Sequence, residues 1–191
     1  MSSSRRTPHR LLSAALLIIG LSLTACGNDD EPTGDSSSAD HNAADVTFAS
    51  EMIQHHAQAL VMVDLTVGRE LDPEFQRLTE AIRDAQAPEI EVMADWLVGW
   101  GEEVPATDRD HVNAEHGDEE SHGDLTELES AEGDEFRTLW LEQMIEHHEG
   151  AIEMAETEKA DGKHQAAVDL AEAIIAAQSA EIDKMEKLLG S

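Results

Sequence analysis

Apolar residues recur at three- and four-residue steps through four stretches of the chain, separated by polar turns. In the first stretch Phe48, Met52, His56, Ala59, Val63 and Val67 share one stripe. In the second, Ile82, Gln86, Ile90, Met93 and Leu97 do the same. Ala, Glu, Leu, Gln and Met dominate all four stretches, and β-branched runs are short, so each is expected to be a helix. Asp72 followed by Pro73 reads as an N-cap and first helical residue, and the turn near Asp161-Gly162 plays the same part later in the chain. Pro88 stands inside the second stretch, where it removes a backbone hydrogen bond and crowds the preceding turn. A kink or break is expected at 84–88.

The pattern is written twice. A shift of 92 places Met52, Ile53, His55, His56, Ala59 and Met62 on Met144, Ile145, His147, His148, Ala151 and Met154. The same shift lays 78–97 on 170–189 with ten of twenty positions identical, among them Gln86/Gln178, Glu89/Glu181 and Met93/Met185. One offset serves both blocks, so each repeat is a pair of helices in fixed register. Neither hairpin can bury its stripe alone. The expected fold is all-α: a four-helix bundle of two tandem helix-hairpin repeats. Repeat one spans 45–100 and repeat two 132–190. The linker 101–131 holds eleven acidic residues, one basic residue and His111, His116 and His122. It has the composition of a solvated, mobile loop that could bind divalent metals loosely.

On a helical wheel His56 falls inside the apolar stripe, about 40° from Met52. His55 falls on the stripe's edge, about 60° to the other side and close in angle to Met62. His148, His147, Met144 and Met154 repeat the arrangement. Histidines on an apolar face commonly serve a structural role, and a buried His–Gln–Glu cluster drawing on Gln86, Glu89, Gln178 and Glu181 would explain the shared register without a ligand. Methionine adds a second possibility. After Met1, all six methionines form repeat pairs: 52/144, 62/154 and 93/185. Thioether with imidazole is a soft donor set suited to Cu(I), and imidazole with carboxylate suits Cu(II). Met62 lies about 10 Å along the axis from His55 and would serve a second station.

The start of the chain reads as an export signal. Arg5, Arg6 and Arg10 precede an apolar run, Leu11 to Leu23, which falls short of the ~20 residues a spanning helix needs. The run ends in Leu23-Thr24-Ala25-Cys26, which looks like a bacterial lipobox. Residues 1–25 are then a lipoprotein signal, Cys26 the lipidated residue, and 26–44 a polar tether to the domain at 45–190. The expected location is extracytoplasmic, with the chain held to the membrane by acyl chains. Cys26 is the one cysteine, so disulfides and thiolate metal sites are excluded. The net charge of −30 argues against nucleic-acid binding and gathers cations at the surface.

The pattern MIxHHxxA[IL]xM followed by IxxxQxxEIxxM resembles the bacterial domain-of-unknown-function 305 family, once per repeat, over 45–189. The resemblance implies an exported, ferritin-like four-helix bundle, copper-associated in some members. It marks Met52, His55, His56, Met62, Met144, His147, His148 and Met154 as signature residues, with Met93 and Met185 in the second block. Repeat one departs from the pattern, having Ala57-Gln58 where repeat two keeps Glu149-Gly150, which points to the second half as the better site. The expectation is a non-enzymatic protein that buffers or traffics copper, its protein partner unknown. The alternative is a non-catalytic scaffold whose histidines hold the core. A di-iron oxidase is disfavoured, because the single Glu-x-x-His, Glu119 to His122, lies in the linker. No serine or cysteine nucleophile sits in a recognisable setting.

Overall fold

The structure is a computed structural model that describes residues 40–108 and 125–190. The expected signal, Cys26 and the tether up to residue 39 lie outside the described residues, as do His111, His116 and His122. Among the described residues all regular structure is helical, and no helix is long and apolar enough to cross a membrane.

Helix α1 runs Ala43–Asp64 and α2 Pro73–Trp100. Asn42 starts α1 through a reciprocal cap: its Oδ1 accepts from the Ala44 and Asp45 amides, and the Asp45 carboxylate accepts from the Asn42 amide at 2.6 Å. Asp72 caps α2 as expected, accepting from Glu74 and Phe75, with Pro73 as the first helical residue. Gly101, at φ +82°, ends α2 in the left-handed conformation that glycine adopts without steric cost. Two expectations need correction. Val67 lies beyond α1 and is 75% exposed, so the stripe ends at Val63. The helix also continues unbroken through Pro88. Pro88 and Asp84, whose carbonyl loses its partner, are both exposed, so water can satisfy the freed oxygen.

The end of the linker is not loop. Leu125–Ser130 forms a short helix, α3, whose Leu128 is fully buried. Helix α4 then runs Gly133–Asp161 and α5 Gln165–Leu189. Asp161 closes α4, and the N-cap of α5 is His164, the repeat mate of Asp72. His164 has no capping side chain. Asp45 supplies the carboxylate instead, accepting from the Lys163 and His164 amides at 2.9 and 2.8 Å.

Helices α1 and α2 form one hairpin and α4 and α5 the other. The hairpins meet mainly where α1 packs on α4, while α2 and α5 make few contacts. Each long helix carries an apolar segment, a polar step and a second apolar segment. Stacked, these give two apolar clusters with a polar layer between them. One cluster is aromatic: Phe75, Phe136 and Trp140 pack with Met62, Met144 and Met185. The other is rich in small residues: Ala49, Ala151, Ala155, Ala167 and Ala171 pack with Met52 and Met93.

Candidate metal centre

The polar layer is assembled from the two signature motifs. His55, His56, His147 and His148 are all buried, at 3, 0, 1 and 0% exposure. His55 and His147 therefore do not lie at a solvent edge. The face they share is covered because α1 and α4 are packed on two sides, by their own hairpin partners and by each other. A wheel drawn for one helix against one partner misses that second contact.

The four histidines divide into two kinds. His55 and His147, repeat mates, meet ring to ring across the α1–α4 seam with centroids 3.7 Å apart. His147 Nε2–H donates to the His55 carbonyl at 2.9 Å. His56 and His148 instead turn toward the outer helices of their own hairpins. His56 Nε2 lies 2.8 Å from Glu89 Oε2, and His148 Nε2 lies 2.8 Å from Glu181 Oε2. A carboxylate accepts, so Nε2 donates, and in the neutral imidazole Nδ1 then holds a lone pair. In both residues Nδ1 is buried without a hydrogen-bond partner.

That arrangement, with the carboxylate on one ring nitrogen and a bare lone pair on the other, is how metal-bound histidines are oriented. The expected His–Gln–Glu cluster is thus half realised. The His–Glu bonds form, but the buried Gln86 and Gln178 amides have no partner at either terminal atom. Unpartnered buried amides and imidazole nitrogens in one bundle fit a bound ion. Among the described residues no three His, Cys, Asp or Glu side chains converge as a metal-binding group, and the methionine thioethers are further soft donors in the same bundle.

The methionines sit on both sides of the layer. Met62, Met144 and Met185 share the aromatic cluster, so two donors from repeat two join one from repeat one. Met52 and Met93 share the small-residue cluster, and Met154 packs against it half-buried. Each trio draws on both repeats. The repeat-one departure also has a physical reason: Ala57 and Gln58 are buried, whereas Glu149 is exposed. An ionised side chain at position 57 would have to leave water.

Sequence reading missed an acid pair at the far end of the small-residue cluster. Glu158 is 1% exposed and Asp45 fully buried. Burial pushes the Glu158 carboxyl up to about 8, helped by its hydrogen bond to Asp45 and by the Asp45 charge. Burial also pushes Asp45 upward. Hydrogen bonds from the His164 amide, from Glu158 and from the Asn42 and Lys163 amides outweigh it and hold Asp45 below the usual carboxylate range. The signal was present: Glu158 continues the buried stripe of His148, Ala151 and Ala155. Beside the pair, His41 stacks on Trp100 at 4.5 Å, and His164 meets the edges of Trp96 and Trp100.

Comparison with known proteins follows the same lines. The model of the domain of unknown function DUF305 matches residues 45–189. The Cu(I)-bound form of CopM is 30% identical with a TM-score of 0.63, covering 75% of this chain and 94% of that one. CopM has also been solved in Cu(II)-bound and Ag-bound forms. A DUF305 protein of Streptomyces coelicolor, named as a candidate secreted protein, is 29% identical with a TM-score of 0.67, covering 77% of this chain and 92% of that one. No curated protein matches. With the family model spanning both hairpins and every signature residue, the chain belongs to the DUF305 family.

Proposed function

We propose that this chain is an extracytoplasmic copper-binding protein, lipid-anchored through Cys26, that buffers or hands on Cu(I) without catalysing a reaction. The four long helices act as a ferritin-like bundle whose polar layer is the metal centre. One observation carries the reading: His56 and His148 each bind a carboxylate through Nε2 and leave a buried Nδ1 lone pair with no partner. The methionine trios on either side add soft donors, a combination that favours Cu(I) and Ag(I) over harder ions. The related CopM binds Cu(I), Cu(II) and Ag, which supports the assignment.

The test is a titration of the chain with Cu(I) against a competing chelator. The native chain should hold the metal, and the His56→Ala/His148→Ala double variant should lose at least about tenfold in affinity, as loss of metal ligation predicts. Equal binding by native chain and variant would end the proposal.

The scaffold reading survives for the other two histidines. The His55–His147 ring contact and the bond to the His55 carbonyl brace the seam. His55→Ala/His147→Ala should therefore lower the melting temperature more than it lowers copper affinity. The reverse ranking would place the ligands on the seam instead.

A further inference from the structure

A groove of about 290 Å³ opens between the start of α1 and the last turns of α4. Met154 and Glu158 line it from α4; Thr47, Phe48 and Glu51 line it from α1. Glu51 is exposed on the rim, whereas Glu158 is 1% exposed. No N–H or O–H donor of another residue reaches either Glu158 oxygen. A buried carboxyl without a donor needs something positive to complete it, a proton or a cation. Behind the groove, Met154 packs on the cluster that holds Met52 and Met93.

The repeat-related positions are furnished differently. Under the 92-residue shift Met154, Glu158, Glu51 and Phe48 correspond to Met62, Thr66, Gln143 and Trp140. Met62 is 3% exposed, and the Trp140 indole N–H donates to its carbonyl at 2.8 Å. The Thr66 hydroxyl donates to the Val63 carbonyl at 2.6 Å. The same template thus buries its methionine beside a hydrogen-bonded threonine at one end and leaves it half-exposed between two glutamates at the other.

We propose that the Glu51–Met154–Glu158 groove is the port through which a soft monovalent cation, Cu(I) or Ag(I), enters the bundle. The Glu51 carboxylate draws the ion from solution, Glu158 releases its proton to water as it takes the ion, and the Met154 thioether passes the ion toward Met52 and Met93. The ion keeps its charge throughout and only its ligands change. A hard divalent ion would look for six or more oxygen ligands, whereas this groove pairs two carboxyl groups with a thioether. The port rests on the metal-binding reading above, but it concerns the rate of loading rather than the final affinity.

The experiment mixes the full-length chain rapidly with Cu(I) carried by a coloured chelator and follows loss of the colour. Glu51→Gln/Glu158→Gln should load about tenfold more slowly, the scale on which focused charge raises association rates, and should reach the native amount of bound metal. Met154→Leu should also slow loading, and Gln143→Ala at the mated position of the other repeat should not. Native-rate loading by the double variant, or equal slowing by Gln143→Ala, overturns the port. Glu51→Gln alone changes an exposed side chain, so the comparison holds even where the Glu158 change weakens the fold. Absence of Cu(I) uptake by the native chain would instead remove the metal-binding reading itself, a separate result.

Discussion

The two ends of the bundle come from one repeated template and are filled differently. The end beneath Trp140 is packed with Phe75, Phe136 and Trp140, and its methionines are sealed. The end beneath Phe48 is packed with five alanines, and its third methionine, Met154, borders a groove. Large rings remove much apolar surface from water and fix a unique packing. Small side chains let helices approach closely but contribute less burial per residue. One end therefore favours stability, and the other leaves its third methionine within reach of solvent. Duplication supplied two equal ends, and substitution at a few mated positions, Phe48/Trp140 and Glu158/Thr66 among them, made them unequal.

The sharpest way to break this contrast is truncation. Trp140→Ala should destabilise the chain by roughly 3–5 kcal/mol, read as a shift of the urea midpoint, because it empties a fully buried site and orphans the Met62 carbonyl. Phe48→Ala should cost clearly less. Equal costs would mean that both ends bear the load.

Next comes pH. Glu158 is raised in the folded state from its ordinary 4.5 to about 8, so between these values the folded chain holds a proton that the unfolded chain has released. Its contribution is fully present below about 4.5 and is lost progressively as pH rises through about 8. Asp45 runs the other way. Its folded value is depressed, so its contribution is present above its ordinary 3.8 and is lost as pH falls through the lower folded value. Thermal melts across pH should show the alkaline decline, and Glu158→Gln should flatten it. A decline unchanged in that variant would trace to the general negative charge instead.

The clasps give a smaller effect. Asp45 and Arg137 are repeat mates, and each reaches from its own hairpin to the turn of the other. Asp45 accepts from the Lys163 and His164 amides, whereas Arg137 pairs with Asp72 at 3.4 Å. Asp45 is buried and the Arg137 pair is partly exposed. Asp45→Ala should cost about 1–2 kcal/mol, since it strands part-buried amide groups. Arg137→Ala should cost about 1 kcal/mol or less. The smallest change is expected from Pro88→Ala, which copies the mated Ala180 and restores a backbone bond on a solvated face. It should raise stability by about 0.5 kcal/mol, since only a water-exposed carbonyl regains its partner. A larger gain would show that Pro88 strains α2 despite its unbroken helical course.

Most of the architecture was readable because helical periodicity is local. The stripes, the Asp72–Pro73 start and the 92-residue register all follow from spacing within one segment. What could not be read involved a second partner for a helix already paired. His55 looks peripheral until α4 covers it, Asp45 looks like a surface acid until it caps a turn 118 residues away, and Leu128 looks like part of a loop until it enters the core. Pro88 misled in the opposite sense, because its penalty depends on whether water reaches the Asp84 carbonyl. At the candidate centre, the residue types were visible in the sequence, but the separation of four histidines into two bracing and two lone-pair-bearing residues needed coordinates.

The ring contact on the seam joins a residue to its own repeat mate, as happens where a rotation axis of order two passes through a homodimer. A single hairpin of this kind presents a self-complementary face, so an ancestral half-length chain would assemble as a pair. Fusing the two copies into one polypeptide freed each from having to match the other, and a symmetric vessel could then acquire a mouth and a base.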